Sequence, residues 1–189
     1  MQLVFATGNS HKAAEVAAIL RGKLPDVEVL TSSAESPAET GTSFLENALI
    51  KARASFEASG LPAFADDSGI CVDVMGGAPG IFSAIWSGGR DDKLNRDLLL
   101  AQLIDIPAEH RQASFVCTVA LVTKDGEFSF TGVWPGSIAE SARGSGGFGY
   151  DPIFVPEGFR QTAAQLPPEV KNSMSHRFLA MTQMAQFLA

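Results

Sequence analysis

The sequence is poor in basic residues and has no long apolar run. Of its 189 residues, 14 are lysine or arginine and 21 are aspartate or glutamate, so the formal net charge is −7. A protein that follows a nucleic acid polymer needs a basic surface to neutralise the phosphates, and this balance argues against such a partner. No stretch of about eighteen consecutive apolar residues occurs, so we expect no transmembrane helix and no membrane partner.

Cysteine is also scarce, and only Cys71 and Cys117 are present. Each lies in an apolar run without a second ligand at a metal-binding spacing, which favours reduced thiols in a protein core. The first residues include neither a basic segment nor an apolar segment long enough for a secretory signal. We therefore expect a cytoplasmic protein.

The chain does contain enough apolar material for one stable core. Apolar residues make up 46% of it, and no internal repeat or linker interrupts the pattern. The length fits a single domain over residues 1–189, built as one compact unit of two small lobes.

The hydrophobic pattern predicts an α/β fold. Residues 3–6 and 27–30 are typical of strands, and helical spacing between them completes a βαβ unit. The pair Asp125-Gly126 separates two strand-like runs and predicts a hairpin. Because a βαβ unit is parallel and a hairpin antiparallel, the sheet should be mixed. The other predicted strands are 63–65, 70–75, 113–124, 127–133 and 153–155, and the other predicted helices are 43–59, 91–104 and 175–188.

Apolar spacing also predicts which faces of two helices are buried. For the helix over 43–59 the predicted face consists of Leu45, Leu49, Ala52 and Phe56. For the helix over 91–104 it consists of Leu94 and Leu98. Ser43 and Glu46 have the spacing of a capping box, which indicates where the first of these helices begins.

A polar turn follows the first predicted strand and precedes a helix. Backbone N–H groups at a helix N-terminus attract anions, Gly8 lets a ligand approach the backbone closely, and Lys12 adds a full positive charge. The spacing is not that of a Walker A loop. An ordinary turn with an exposed lysine fits the same residues.

Two adjacent acids follow the strand-like run 63–65. Adjacent strand residues point to opposite faces, so at most one of Asp66 and Asp67 should face a given cleft. A carboxylate at a strand end suits Mg²⁺ binding or the activation of water, whereas a turn in which both acids cap backbone groups is the alternative. Glu39, in a polar loop, is either a second oxygen ligand or a solvated side chain.

The segment 144–152 is rich in glycine and contains one aromatic ring flanked by glycines, that of Phe148. Such a ring can stack on a nucleobase, and Asp151 can accept hydrogen bonds from base N–H groups. The segment lacks the strand and helix context of a dinucleotide-binding fingerprint. A tight structural turn with Phe148 in the core fits the pattern equally well.

Four basic residues are candidates for contacts with phosphate or base. Lys171 is a candidate phosphate ligand, and His176 and Arg177 open the last predicted helix. Cations at a helix N-terminus oppose the helix dipole, which points to a reason beyond helix stability. Lys51 is the fourth candidate, with the solvated face of its helix as the alternative.

Taken together, these segments resemble the inosine/xanthosine triphosphate pyrophosphatase family from residue 2 to the last helix. Each motif is modest alone, and their common order makes the match specific. The motifs are Thr7-Gly8-Asn9 with Lys12 and Glu15, Glu39-Thr40-Gly41 with Phe44, Glu46-Asn47-Ala48 and Lys51-Ala52, Ala65-Asp66-Asp67-Ser68-Gly69, Gly76-Gly77-Ala78-Pro79-Gly80, Gly146-Gly147-Phe148-Gly149-Tyr150-Asp151-Pro152, and Lys171 with Ser175-His176-Arg177.

The resemblance implies a fold, an activity and an assembly. The fold would be an elongated mixed β-sheet whose flanking helices form two lobes around a central cleft. The activity would be cleavage of ITP, dITP or XTP between the α and β phosphates, which gives the monophosphate and pyrophosphate and clears these nucleotides from the pool. Mg²⁺ would be the cofactor, and the chain would form a homodimer.

The resemblance also implies roles for individual residues. Asp67 would activate water and, together with Glu39, would hold Mg²⁺, and Phe148 would stack on the base. The substrate-binding residues would be Thr7, Gly8, Asn9, Ser10, His11, Lys12, Lys51, Ser68, Phe148, Gly149, Tyr150, Asp151, Lys171, His176 and Arg177.

Charge and hydrogen bonding agree with these implied roles. A triphosphate carries about four negative charges, which Mg²⁺ and a few lysines would offset. A 6-keto purine offers an acceptor to Arg177 or His176, whereas a 6-amino group presents a donor to a cation. Such a mismatch of buried groups can be worth on the order of 10⁴ in selectivity.

One motif departs from the family pattern. Where the family usually has Ser-Ala-Arg, this chain has Ser83-Ala84-Ile85. Either Arg90 replaces the missing cation, or the phosphate pocket is weaker here.

Two other functions are alternatives at this point. A Maf-like pyrophosphatase acting on pyrimidine or modified nucleotides would prefer a pyrimidine triphosphate to ITP. A nucleotide-sensing module would bind without releasing pyrophosphate, although the presence of Asp67, Glu39 and Lys12 argues against it.

Overall fold

The computed structural model describes residues 1–32 and 36–189, and for Ser10 and His11 the backbone alone. The strands in these ranges are β1 (Gln2–Phe5), β2 (Glu28–Thr31), β3 (Ala63–Val72), β4 (Gln112–Thr123), β5 (Gly126–Ile138) and β6 (Phe154–Pro156). The α-helices are α1 (Ser10–Lys23), α2 (Phe44–Ser59), α3 (Asp92–Gln102), α4 (Pro168–Asn172) and α5 (His176–Leu188). Over the same ranges, no helix combines the length and apolar character that a membrane span needs.

The strands form one mixed sheet in the order β2-β1-β3-β4-β5-β6. β1 is parallel to both β2 and β3, with Val4 beside Ala63, while β5 is antiparallel to β6. The two-residue turn that joins β4 to β5 is Lys124-Asp125, one residue earlier than predicted, because Gly126 already begins β5. The α/β class, the βαβ unit, the hairpin and the mixed sheet predicted from the sequence are therefore confirmed.

The chain divides into two compact units. The first consists of Met1–Asp67, Cys117–Gly132 and His176–Ala189, and the second of Ser68–Val116 and Val133–Ser175. Strands β3, β4 and β5 supply residues to both units. The arrangement of lobes around a cleft stays a prediction of the resemblance.

In the first unit, helices cover both faces of β3. Phe64 packs in a core with Leu20 of α1 and Met181 of α5, whereas Ala65 packs with Ala48 of α2. Adjacent residues of a strand point to opposite faces, so α1 and α5 cover one face and α2 covers the other. Each large apolar side chain buried in this way contributes about 1.5–3 kcal/mol.

Helix α5 begins directly against β5. A Cβ atom added to Gly132 would lie 2.1 Å from the carbonyl oxygen of His176 and 2.7 Å from the backbone nitrogen of Ala180. Real Cβ atoms do not approach backbone so closely, so glycine is needed here. The contact fixes the first turn of α5, which carries His176 and Arg177.

The second unit has a core of aromatic and aliphatic side chains. The rings of Phe115, Trp134 and Phe154 lie with centroids 4.7 to 6.3 Å apart. The buried guanidinium of Arg111 donates to the carbonyl oxygens of Leu103, Ile106 and Ala139. Carbonyl groups at the end of a helix have no partner inside the helix. Arg111 supplies hydrogen-bond donors to the carbonyls of Leu103 and Ile106, which follow α3.

The sequence pattern predicted two strands separated at Asp66-Asp67-Ser68-Gly69, and this prediction is wrong. β3 runs without interruption from Ala63 to Val72, and residues 73–75 form a 3₁₀ turn rather than the end of a strand. Acids followed by Ser-Gly are typical of turns. Here each carboxylate has cationic partners on its own face of the sheet, so the strand can continue through both.

The predicted buried faces of two helices also need correction. Ala52 is buried as predicted, and Leu49 and Phe56 are partly buried against the same core, whereas Leu45 and Leu94 are exposed. The buried residues are Asn47, Ala48, Lys51, Ala52 and Ser55 on α2, and Asn95 and Leu99 on α3. The buried face of each helix includes polar side chains that bind specific partners, and a pattern of apolar residues does not identify such positions.

The predicted capping box is half confirmed. Ser43 accepts the N–H of Glu46 at 3.2 Å, whereas the Glu46 carboxylate accepts from Thr42 rather than from Ser43.

Candidate active site

Asp66 and Asp67 lie at the centre of the charged residues of the first unit. Phe64 and Asp66 point to the face covered by α1 and α5, and Asp67 points to the face covered by α2. Both side chains are buried. The two carboxylates therefore have different partners and different electrostatic environments.

Asp66 is held by two cations. Its Oδ2 lies 3.0 Å from Nζ of Lys12 and 3.3 Å from Nε of Arg177. Arg177 is 2% exposed and also donates from Nη1 to Oε2 of Glu15 at 2.6 Å. Burial alone would raise the pKa of Asp66, but Lys12 and Arg177 outweigh it and hold that pKa well below its ordinary value.

Asp67 shares one ammonium group with Glu39. Nζ of Lys51 lies 3.2 Å from Oδ1 of Asp67 and 2.7 Å from Oε1 of Glu39. Burial raises the pKa of Asp67, and the negative charge of Glu39 adds to this, while Lys51 only partly offsets it. Asp67 is thus a better proton acceptor than an ordinary aspartate.

Lys51 remains charged in this setting. Burial acts to lower its pKa, but Asp67, Asp66 and Glu39 outweigh burial and raise the pKa above its ordinary value. Its position contradicts the alternative that Lys51 belongs to the solvated face of α2.

Asn47 connects the loop of Glu39 to Asp67. Its Nδ2 donates to Oδ2 of Asp67 at 3.3 Å, and its Oδ1 accepts the N–H of Gly41 at 2.8 Å. A Cβ atom on Gly41 would lie 2.6 Å from Cβ of Glu46 and 2.8 Å from Oδ1 of Asn47. The glycine therefore permits the close approach that brings the loop to the carboxylate.

The turn before α1 lines a concave pocket of about 140 Å³. The pocket walls are Ala6, Thr7, Gly8, Ser32, Ser36, Pro37, Lys51, Ala54 and Ser55. Oδ1 of Asn9 accepts the N–H of Lys12, and Oγ1 of Thr7 accepts the N–H of Asn9. A Cβ atom on Gly8 would meet no atom within 4 Å, so internal packing does not require the glycine. The predicted contributions of the Ser10 and His11 side chains lie outside the described residues.

The second unit contains a separate cluster around Asp151. Oδ2 of Asp151 accepts from Nζ of Lys171 at 2.5 Å and from the backbone N–H of Phe148 at 3.0 Å. The Lys171 ammonium lies 5.3 Å from the centroid of the Phe148 ring. Asp151 and Lys171 are buried, whereas Phe148 is only half-buried. The Phe148 ring therefore contacts the Lys171 ammonium and remains partly accessible, rather than being enclosed in the core.

Tyr150 anchors the same segment from the other side. Its buried hydroxyl donates to the carbonyl oxygen of Ser83 at 2.8 Å. Ser83 Oγ in turn accepts the N–H of Ile70, two residues after Ser68. Ile85, at the position where the family usually has arginine, is 44% exposed.

The structure thus groups the predicted residues into two sets, one in each unit. The first set contains Thr7, Gly8, Asn9, Lys12, Glu39, Lys51, Asp67, His176 and Arg177, and the second contains Ser68, Phe148, Gly149, Tyr150, Asp151 and Lys171. Their roles toward a substrate stay predictions. The Arg177 guanidinium pairs with the carboxylates of Glu15 and Asp66. These ion pairs explain why a cation occurs at the N-terminus of α5, where it opposes the helix dipole.

Sequence reasoning gave no role to several residues that hold these sets in place. Glu15, Asn47 and Asp66 are the main ones in the first unit. Two of them were recognisable from spacing. Glu15 is three residues after Lys12, and Asn47 is four residues before Lys51, so each pair shares a helix face.

The two neighbouring aspartates should titrate on opposite sides of the ordinary value of about 3.9. Carboxyl ¹³C NMR of the metal-free chain should place the pKa of Asp67 above this value and that of Asp66 below it. Lys51→Met should raise the pKa of Asp67 further, because Lys51 favours its ionised form. An Asp67 pKa at or below the ordinary value would contradict this electrostatic account.

Comparison with known proteins shows which family the chain resembles over its whole length. The model of the Ham1 family matches residues 3–187. A dITP/XTP pyrophosphatase of Leifsonia xyli is 51% identical over 190 residues, which cover 100% of this chain and 96% of the relative. One of Mycobacterium tuberculosis is 50% identical over 186 residues, or 95% of this chain and 91% of the relative.

Solved structures show the same fold. A HAM1 protein from Coxiella burnetii superposes with a TM-score of 0.91 at 38% identity, covering 100% of this chain and 98% of that one. A nucleoside-triphosphatase, dITP/XTP pyrophosphatase, from Mycobacterium abscessus has a TM-score of 0.80 at 46% identity, with both chains fully covered. The resemblance seen in the sequence is confirmed. The chain belongs to the Ham1 family.

Proposed function

We propose that this protein hydrolyses the deaminated purine nucleoside triphosphates ITP, dITP and XTP to the monophosphate and pyrophosphate. The observation that carries the proposal is the buried Asp67, whose pKa is raised by burial and which lies beside Lys51 and Glu39. The relatives named dITP/XTP pyrophosphatase, about half identical over nearly the whole chain, support the substrate class.

Asp67 is the group that accepts a proton from the attacking water. A general base is most effective when its pKa approaches the working pH, and burial moves Asp67 in that direction. Lys51 and Asn47 fix the orientation of its carboxylate. One water is consumed for each triphosphate, and the bond between the α and β phosphates breaks.

Mg²⁺ is the proposed cofactor, and Asp67 and Glu39 would hold it. Within the described residues no three acids, histidines or cysteines form a metal cluster. The candidate donors are therefore two carboxylates, those of Asp67 and Glu39, which both contact the Lys51 ammonium. This donor set fits Mg²⁺, which is usually bound by one or two carboxylates together with substrate phosphates and water. When bound, the ion would offset the phosphate charge and promote ionisation of water.

The cationic side chains and the pocket of the first unit suit the phosphates. Lys12 and Lys51 are positively charged groups near the turn formed by Thr7 and Gly8, and α1 begins at that turn. The N-terminus of a helix favours anions. We assign the triphosphate to this turn.

The base is assigned to Phe148 and its neighbours. The half-buried ring is available for stacking, and Lys171 and Asp151 fix it from one side. His176 and Arg177 are the proposed partners of the 6-keto oxygen, which would make a 6-amino purine a poor substrate. We further propose a homodimer located in the cytoplasm, where the nucleotide pool would be the substrate source.

A substrate panel tests the proposal. Pyrophosphate release from ITP, dITP, XTP, ATP, GTP and UTP is measured with Mg²⁺ and again with a chelator. We expect kcat/KM for the deaminated purines to exceed that for ATP by about 10²–10⁴, with loss of activity in the chelator. A preference for UTP would favour the Maf-like alternative. Tight binding of ITP without pyrophosphate release would favour a nucleotide sensor.

A further inference from the structure

The backbone of Gly149 is gripped by two side chains of opposite charge. Its N–H donates to Oδ2 of Asp92 at 2.8 Å, and its carbonyl oxygen accepts from Nη1 of Arg96 at 2.7 Å. These atoms belong to the two peptide planes on either side of the Gly149 Cα. Both planes are therefore fixed by charge-assisted hydrogen bonds, which are stronger than bonds between neutral groups.

Helix α3 provides a rigid base for this grip. Asp92 and Arg96 are four residues apart and so lie on one face of the helix. Asp91 caps the helix by accepting the N–H of Leu94 at 3.0 Å. Buried Asn95 binds the segment 84–87, donating to the carbonyl oxygen of Ala84 and accepting from Ser87.

The gripped residue lies in the segment assigned to the base. Gly149 follows Phe148 directly and has a φ of +58°, a left-handed conformation that favours glycine. Tyr150 and Asp151 hold the segment at its other end through Ser83 and Lys171. The peptide plane that Asp92 contacts includes the Cα atom of Phe148, so this hydrogen bond fixes the backbone from which the ring projects.

We propose that Asp92 and Arg96 are positioning residues that orient the Phe148 ring for stacking on the base. The proposal rests on the proposed function and adds to it a determinant of base affinity outside the segment 148–151. Phe148 stacks on a base with higher affinity when its segment is ordered in advance, because ordering a loose loop on binding weakens affinity. Asp92 and Arg96 supply that order through the backbone of Gly149.

The experiment compares Arg96→Met and Asp92→Ala with Arg96→Lys and with Lys93→Met. Lys93 lies on the same helix, and its exposed ammonium pairs with the exposed carboxylate of Asp97 at 2.6 Å. It serves as the matched control. Hydrogen exchange of residues 147–151 reports the order of the segment. KM and kcat for ITP report how the order of this segment affects binding of the base and turnover.

We expect Arg96→Met and Asp92→Ala to speed exchange of residues 147–151 and to raise KM for ITP by about tenfold each, with kcat within about twofold. Loss of a charged hydrogen bond to a substrate-binding loop weakens binding, while the residues assigned to the phosphates are unchanged. Arg96→Lys should retain most of the affinity, because its ammonium can still donate to the Gly149 carbonyl. Lys93→Met should change neither quantity.

The outcomes separate this proposal from the proposed function. Unchanged exchange in Arg96→Met would overturn the grip, and faster exchange with an unchanged KM would overturn its role in binding the base. Absence of pyrophosphate release by the native chain would overturn the proposed function. The exchange rates would then still decide whether Asp92 and Arg96 order the segment.

Discussion

Asp67→Asn should lower kcat for ITP by about 10²–10⁴, because asparagine cannot accept a proton from water. Asparagine keeps the size of the side chain, and its carbonyl oxygen can still accept from Lys51. The loss should therefore appear as a loss of turnover rather than of structure. Steady-state pyrophosphate release, measured at saturating ITP, gives the effect directly.

The same variant should be as stable as the native chain or more stable. The pKa of Asp67 is raised on folding, so its ionisation opposes folding at pH values above the folded pKa. Removing the charge removes this cost at neutral pH. Asp125→Asn, in the exposed hairpin turn, is the matched control and should alter neither turnover nor the free energy of unfolding. Near-native turnover by folded Asp67→Asn would show that another group is the base.

Arg177→Met should reduce the free energy of unfolding by about 3–5 kcal/mol, the range found when one partner of a buried ion pair is removed. Arg177 is 2% exposed and donates to both Glu15 and Asp66. Methionine fills much of the space, but it removes a partner from two buried carboxylates, of which Asp66 keeps its ion pair with Lys12. Urea denaturation of both proteins at pH 7 measures the difference.

Arg53→Met is the matched control for this substitution. Arg53 also pairs with a carboxylate, that of Glu127, but the two side chains are 50% and 40% exposed. Exposed pairs of this kind contribute about 0–1 kcal/mol. A loss below about 1 kcal/mol in Arg177→Met, equal to that of the control, would contradict the structural importance of the buried pair.

The pH dependence of the loss in unfolding free energy caused by Arg177→Met is a second test of the buried ion pair. The native pKa of Asp66 is lowered, so its contribution to stability is present above the unfolded pKa and is lost as the pH falls. Without Arg177 the pKa of Asp66 rises toward its ordinary value. The difference in unfolding free energy between the two proteins should therefore shrink on acidification.

Local patterns predicted much of the fold. The βαβ unit and the hairpin each depend on residues close in sequence, and both were recognisable from strand-like runs and an Asp-Gly turn. Short-range pattern was sufficient for these two elements. Lys51 and Asp67 were singled out by the family resemblance instead, and the structure places Nζ of Lys51 3.2 Å from Oδ1 of Asp67.

Long-range partners account for what the sequence analysis missed. Asp66 and Asp67 continue a strand because Lys12, Arg177 and Lys51 come from distant segments to neutralise them. Asn95 faces inward on α3 because it binds the backbone of residues 84–87, whereas the more apolar Leu94 is left exposed. Neither effect is visible in hydrophobic periodicity, which reports burial of apolar groups alone.

The most direct test of the central claim is the identity of the products formed from ITP. ³¹P NMR of the native chain with ITP and Mg²⁺ should show inosine monophosphate and pyrophosphate appearing in equal amounts. Orthophosphate together with inosine diphosphate would place the cleavage at a different bond and contradict the account.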